Sequence, residues 1–143
     1  MNEINNIARI PKGKKIILFD GFCNLCDASV QLIIKRDSKD IFRFVSLQSE
    51  FGEFIINHIG VNRFKTDSII LFEPNKGYYC KSQAAINIAK HLGGLYPLLS
   101  LFKCIPTFIL DIVYDFIAKN RYKWYGKKSH CLIPSNEILQ KFI

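Results

Sequence analysis

Hydrophobic positions along this chain switch repeatedly between short apolar runs and stretches with a helical period. Residues 16 to 20, IILFD, are a short apolar run closed by Asp20 and Gly21. Such a run, bounded by turn signals, reads as a buried strand of the kind found in parallel sheets. From Asn24 to Lys35 the pattern turns helical. Asp27, Gln31 and Lys35 fall four apart in one narrow polar stripe, and Leu25, Ala28, Val30, Leu32, Ile33 and Ile34 make the rest of that surface apolar. A helix with so little polar surface is mostly covered. FRFVSL at 42 to 47 is a second strand by its aromatic and β-branched content. Residues 48 to 59 are helical, with Phe51, Phe54, Ile55 and Ile59 on one face.

DSIILFE at 67 to 73 and GYYCK at 77 to 81 flank a Pro74-Asn75-Lys76-Gly77 turn and predict a β-hairpin. Ser82 is the expected N-cap of the next helix, whose apolar face is Ala85, Ile88, Ala89 and Leu92, and Gly93-Gly94 ends it. The order β-α-β-α-β-β-α has its first two strands parallel and an antiparallel hairpin at the edge. It is the order of the minimal thioredoxin core, here over residues 15 to 94.

Residues 95 to 143 are read as a helical C-terminal cap. LYPLLSLFKCI at 95 to 105 is apolar and broken by Pro97, and Pro106 suits the first position of a long helix that stops at Gly126. Ile109, Ile112, Val113, Phe116 and Ile117 share one face, expected to pack inward; Thr107, Asp111, Asp115 and Lys119 share the opposite face. Lys103, Asp111 and Asp115 argue against a membrane span, which wants ~20 mostly uncharged residues. Membrane-surface association through residues 95 to 128 stands as a further reading that could accompany any function of the core, with the partly acidic polar face arguing against it.

Length and composition fit one domain over 1 to 143, because 143 residues with twelve Phe and six Tyr can build a real core. Few glycines and prolines and many large apolar residues exclude a disordered chain. The net charge of +8 is spread, with clusters only at Lys12 to Lys15 and Lys119 to Lys128, and reads as solvated surface charge. Five cysteines, an odd number at irregular spacing, do not make a secreted disulfide scaffold. The first fifteen residues carry no apolar signal core, so a cytoplasmic location is expected. In that reducing compartment a C-x-x-C is catalytic or metal-binding before it is structural.

The chemistry therefore centres on Cys23 and Cys26. Cys23 falls at the start of the first predicted helix, where unsatisfied N–H groups and the positive end of the dipole favour an anion. This predicts a lowered thiol pKa and makes Cys23 the nucleophile. Cys26, one turn on, can resolve the mixed disulfide. No bound cofactor is needed, but an external thiol or disulfide electron partner is. Two readings stand for Asp20: a proton acceptor for Cys26 acting through water, or a cap for backbone groups in the turn. Asp27 is a first-turn acid, favourable with the dipole.

The rival class is a non-catalytic binding or scaffold domain, with the C-x-x-C holding a metal. Structural zinc needs four ligands, and His58, His91, His130 and Cys131 stand at no recognisable zinc spacing. Cys131 has two readings, a third redox thiol that folds back on the site or an inert cysteine, of which the second is preferred; Cys80 and Cys104 read as structural. NRYKWYGKK at 120 to 128 has the mix of bases and aromatics that can stack on nucleic acid, but it also describes a helix C-terminus anchored by aromatics. With no nucleic-acid motif beside it, the helix end is preferred and no nucleic-acid partner is expected.

D-G-F-C-N-L-C at 20 to 26 resembles the D-x-x-C-x-x-C signature of the DCC family of thiol-disulfide oxidoreductases. The resemblance continues in order through D-S-I-I-L-F at 67 to 72, S-Q-A-A at 82 to 85, Ile105-Pro106, N-R-Y-K-W-Y-G at 120 to 126, Cys131 and Pro134. It covers roughly residues 15 to 143, and context of that extent makes the short motif specific. It implies a thioredoxin-like fold with a helical C-terminal addition, and Asp20, Cys23 and Cys26 as the signature site. Arg121 belongs to the shared Asn-Arg pair. Where thioredoxins carry a cis-proline, RFKTDS has Thr66 and Asp67, which argues against a thioredoxin-style substrate groove.

Overall fold

The computed structural model describes residues 2–21, 24–62, 69–94, 96–126 and 141–143. After helix α1 (Asn2–Ala8) come β1 (Lys15–Phe19), α2 (Asn24–Arg36), β2 (Phe42–Ser46) and α3 (Glu50–Ile59). The hairpin β3 (Ile70–Glu73) and β4 (Gly77–Cys80) leads to α4 (Lys81–Ala89), a 3-10 helix (Tyr96–Cys104) and α5 (Thr107–Tyr125). The four strands form one sheet in the order β2-β1-β3-β4. β1 runs parallel to β2 and antiparallel to β3, and β3 is antiparallel to β4. This mixed α/β arrangement is compatible with a thioredoxin-like fold. Among the described residues no helix is long and apolar enough to cross a membrane.

Register explains why the central strands read as unbroken apolar runs. Ile17 pairs with Phe44 on one side and Leu71 on the other, and that row packs with Val30 and Ile33 of α2 and Ala84 and Ile88 of α4. One residue along, Leu18 pairs with Val45 and Ile70, and that row faces Phe51, Ile55 and Ile56 of α3. Alternate side chains of a strand point to opposite faces. With helices on both faces, every position of β1 after Lys15 is buried. β4 is an edge, and its Tyr78 and Tyr79 are exposed.

Several boundaries differ from expectation for local reasons. The N-cap of α4 is Cys80, not Ser82; Ser82 lies in the first turn, where its hydroxyl donates to Asp111 Oδ1 at 2.5 Å. Ala85 is exposed, while Ala84 and Ile86 are buried. Ala28 and Leu32 of α2 are exposed, so that helix is less covered than its pattern predicts. α1 was not apparent in the sequence pattern; beyond it, Ile10 joins the α3-side core. The last residues return to the free edge of β2. Ile143 N–H donates to Phe44 O at 3.0 Å, and the Phe142 ring packs against Phe44 and Phe19.

The larger correction concerns α5. The apolar face expected to pack inward points outward: Ile109, Ile112, Val113, Phe116 and Ile117 are all exposed, Ile112 at 64% and Phe116 at 59%. Leu110, Tyr114, Ala118 and Tyr122, spaced by four, are half-buried, as are Asp111 and Asp115. The first turn of α4 supplies the reason. It presents the Ser82 hydroxyl to Asp111 and the Lys81 ammonium to Asp115, the latter at 3.0 Å. Carboxylates near the positive end of α4 are favourable, and Tyr114 Oη accepts from Ile69 N–H at 3.1 Å.

Candidate active site at the end of β1

β1 delivers Asp20 to the end of the sheet from which α2 departs. Asp20 is only 7% exposed. A carboxylate in that position requires hydrogen-bond donors. Gln48, just beyond β2, donates from Nε2 to Asp20 Oδ1 at 2.8 Å. The same side chain accepts at Oε1 from Gly21 N–H at 3.0 Å and from Ser46 Oγ at 2.7 Å. One amide thus ties the carboxylate, the turn after β1 and the end of β2 together. The second oxygen of Asp20 accepts from the phenol of Tyr122, in the last turns of α5.

The loop that supplies Gln48 is itself braced. Ser49 caps α3 by accepting from Gly52 N–H at 3.0 Å and donates from Oγ to Ser46 O at 2.7 Å. Gly52 is there because nothing larger fits: a Cβ would stand 2.1 Å from Ser46 O. Close packing of α3 on the end of β2 holds Ser46 and Gln48 where they meet Asp20.

Of the sequence-predicted site residues, Asp20 is buried in this network, and Cys26 is half-buried in the first turns of α2. Asp27 follows it and is half-buried. Cys23 lies outside the described residues, as do Thr66, Asp67, His130, Cys131 and the side chain of Arg121. Sequence reasoning missed Gln48 and Tyr122. The signal for Tyr122 was present in the N-R-Y-K-W-Y-G stretch, but nothing local showed that its phenol reaches back to Asp20.

Other candidates are accounted for elsewhere. His58 stacks on Phe54 and meets Phe72, whereas His91 meets Phe42 across the sheet, so the two imidazoles stand on opposite faces. Among the described residues no group of three His, Cys, Asp or Glu side chains comes together as a metal set. Burial pushes the Cys80 thiol above its ordinary pKa, and Asp111 adds to this against Lys81, so Cys80 is a poor nucleophile. Cys104 is exposed at the end of the 3-10 helix.

The model of the DCC1-like thiol-disulfide oxidoreductases matches residues 17–127, which span Asp20, Cys26 and Tyr122 alike. The chain belongs to this family. The uncharacterized protein YuxK of Bacillus subtilis is 46% identical over 129 residues, covering 90% of this chain and 93% of its own. A chloroplastic DCC family protein of Arabidopsis thaliana is 34% identical over 119 residues, covering 82% of this chain and 69% of its own. No solved structure matches at a significant level. Two groups that hold the Asp20 carboxylate come from distant parts of the matched region, Gln48 from the β2–α3 turn and Tyr122 from the end of α5.

Proposed function

We propose that the chain carries out thiol-disulfide exchange, with Cys23 as nucleophile and Cys26 as resolving thiol. The observation that carries this reading is the family match across residues 17–127, which includes the whole D-x-x-C-x-x-C segment. The buried Asp20 supports it, held by Gln48 and Tyr122 one strand end away from the helix that bears Cys26.

In the proposed cycle the Cys23 thiolate attacks one sulfur of a substrate disulfide. That S–S bond breaks, one substrate thiolate leaves, and a mixed disulfide joins Cys23 to the other half. Cys26 loses its proton, which Asp20 accepts through water. The Cys26 thiolate then attacks Cys23 Sγ, releasing the second substrate thiolate and closing a Cys23–Cys26 disulfide. The substrate has gained two electrons and the protein has lost two. An external dithiol returns them; driven the other way, the same steps oxidise a dithiol. The site works in a cytoplasmic setting, within one folding unit whose 15–94 core carries the cysteines and whose 95–143 cap carries Tyr122.

The test is an equilibrium redox titration with alkylation trapping and mass spectrometry on the wild type, Cys23→Ser and Cys26→Ser. A reversible Cys23–Cys26 disulfide is expected, with a potential in the range of roughly −270 to −200 mV spanned by thioredoxin and glutaredoxins. Cys26→Ser should accumulate the mixed disulfide, and Cys23→Ser should not react. Absence of the intramolecular disulfide, or thiols that react only after zinc is chelated, would overturn the mechanism.

A further inference from the structure

Among the described residues, nothing covers the apolar face that α5 and the 3-10 helix before it present. Leu101 is 68% exposed and Trp124 is 51% exposed, and Phe108, Ile112, Val113 and Phe116 lie between them along the chain. Soluble surfaces rarely leave such a patch open unless something binds it. Next to it is an apolar-lined groove of about 250 Å3, which shares Phe102, Val113 and Ile117 with the exposed face.

The charges of the same region decide what binds. Lys103, Lys119 and Lys123 are exposed. The two acids of this stretch are paired with α4, Asp111 with Ser82 and the part-exposed Asp115 with Lys81. The helix therefore offers carbon and ammonium groups outward and keeps its carboxylates at the α4 contact. The acidic residues that argued against a membrane surface are engaged within the protein, so that argument loses weight.

We propose that the outward face of α5, with the 3-10 helix, docks on an anionic lipid bilayer. The aliphatic and aromatic side chains enter the boundary between headgroups and acyl chains, and the lysines meet the lipid phosphates. Trp124, packed edge-on against Phe116 with centroids 5.5 Å apart, has the amphipathic ring favoured at that boundary. A second copy of the chain fits less well. A two-fold dimer through this face would bring Lys103, Lys119 and Lys123 of both copies together, while Asp111 and Asp115 are already paired with Ser82 and Lys81 of α4. Docking also gives the site a fixed orientation, since the inward side of the same helix carries Tyr122 to Asp20.

The test uses the full chain with phosphatidylcholine vesicles, with and without phosphatidylglycerol. Trp124 is the single tryptophan, so its emission reports the docking face without a label. Co-sedimentation with the anionic vesicles and a blue shift are expected, with weaker binding to phosphatidylcholine alone. Phe116→Ser should reduce partitioning about tenfold, the effect of withdrawing one large apolar side chain from the interface. Lys119→Gln and Lys123→Gln should each reduce it about fivefold. Raising salt from about 0.1 M to about 1 M should weaken binding as the Debye length falls from about 10 to about 3 Å. These residues are exposed, so the variants should keep wild-type stability, and the glutamine pair tests the charges should the serine variant misfold. Protein that stays in the supernatant with anionic vesicles, its emission unchanged, overturns the proposal. So does a dimer in analytical ultracentrifugation that Phe116→Ser dissociates, which would assign the face to a second copy.

Discussion

The phenol of Tyr122 donates a hydrogen bond to the carboxylate of Asp20 across 102 residues of sequence. It joins the last turns of α5 to the end of β1. Replacing Tyr122 by Phe should leave the ring in place and remove this bond to a buried charged group. A loss of about 1–3 kcal/mol in urea unfolding is expected. A purely structural role would stop there. If the phenol positions Asp20 for proton acceptance, the pH profile of Cys26 resolution, followed by decay of the mixed disulfide, will shift as well.

Gln48 holds the other carboxylate oxygen and the turn after β1. Gln48→Ala should leave Gly21 N–H and Asp20 Oδ1 each without this partner, at about 1–3 kcal/mol per buried group. Ser46→Ala removes its bond to Gln48 Oε1 and the longer one it accepts from Gln48 N–H, at about 0.5–1.5 kcal/mol each, and should cost less than Gln48→Ala. Paired denaturant curves would show the order; equal losses would mean that Gln48 is not the organising side chain.

A methyl group at Gly52 meets a backbone carbonyl, not a side chain that can swing away. Gly52→Ala should destabilise the protein by about 1–3 kcal/mol or more, although alanine is the better helix former. The shift needed at Ser46 and Gln48 should also slow thiol-disulfide exchange, so thermal melts and exchange rates are expected to fall together.

Two groups should give acid sensitivity in separate windows. Burial, with Lys15 nearby, lowers the pKa of His91 from 6.5. The unfolded chain then takes up a proton before the folded one does, so stability falls as pH drops below about 6.5. Hydrogen bonds from Arg43 and Lys141 hold the Asp40 carboxyl well below its ordinary 3.8. Its contribution is complete above that value and is lost as pH falls further. In urea titrations across pH, His91→Gln should flatten the upper window alone and Asp40→Asn the lower one alone.

Much of the framework was legible in the chain because it rests on local signals. The apolar run 16–20, the Pro74–Gly77 turn and the glycine at 126 each mark an element by periodicity or backbone preference. The strand IILF had to be covered on both faces, and it is. The D-x-x-C-x-x-C segment, with the matching stretches that follow it in order, likewise pointed to the family.

Legibility failed wherever a contact joined distant segments. An amphipathic pattern marks the two faces of α5 but not which one turns inward, because that depends on what the neighbour offers. α4 offers Lys81 and Ser82, and those groups draw Asp111 and Asp115 inward, leaving Ile112 and Phe116 outside. The partners of Asp20 escaped for the same reason. Gln48 and Tyr122 are ordinary residues in their own neighbourhoods, and only the packing of α3 and α5 against the sheet brings them to one carboxylate. Periodicity and turn chemistry are short-range properties, so the linear order of residues marks most of the elements and the signature. The donors that hold Asp20 and the face α5 shows to its surroundings are long-range properties of the packed chain.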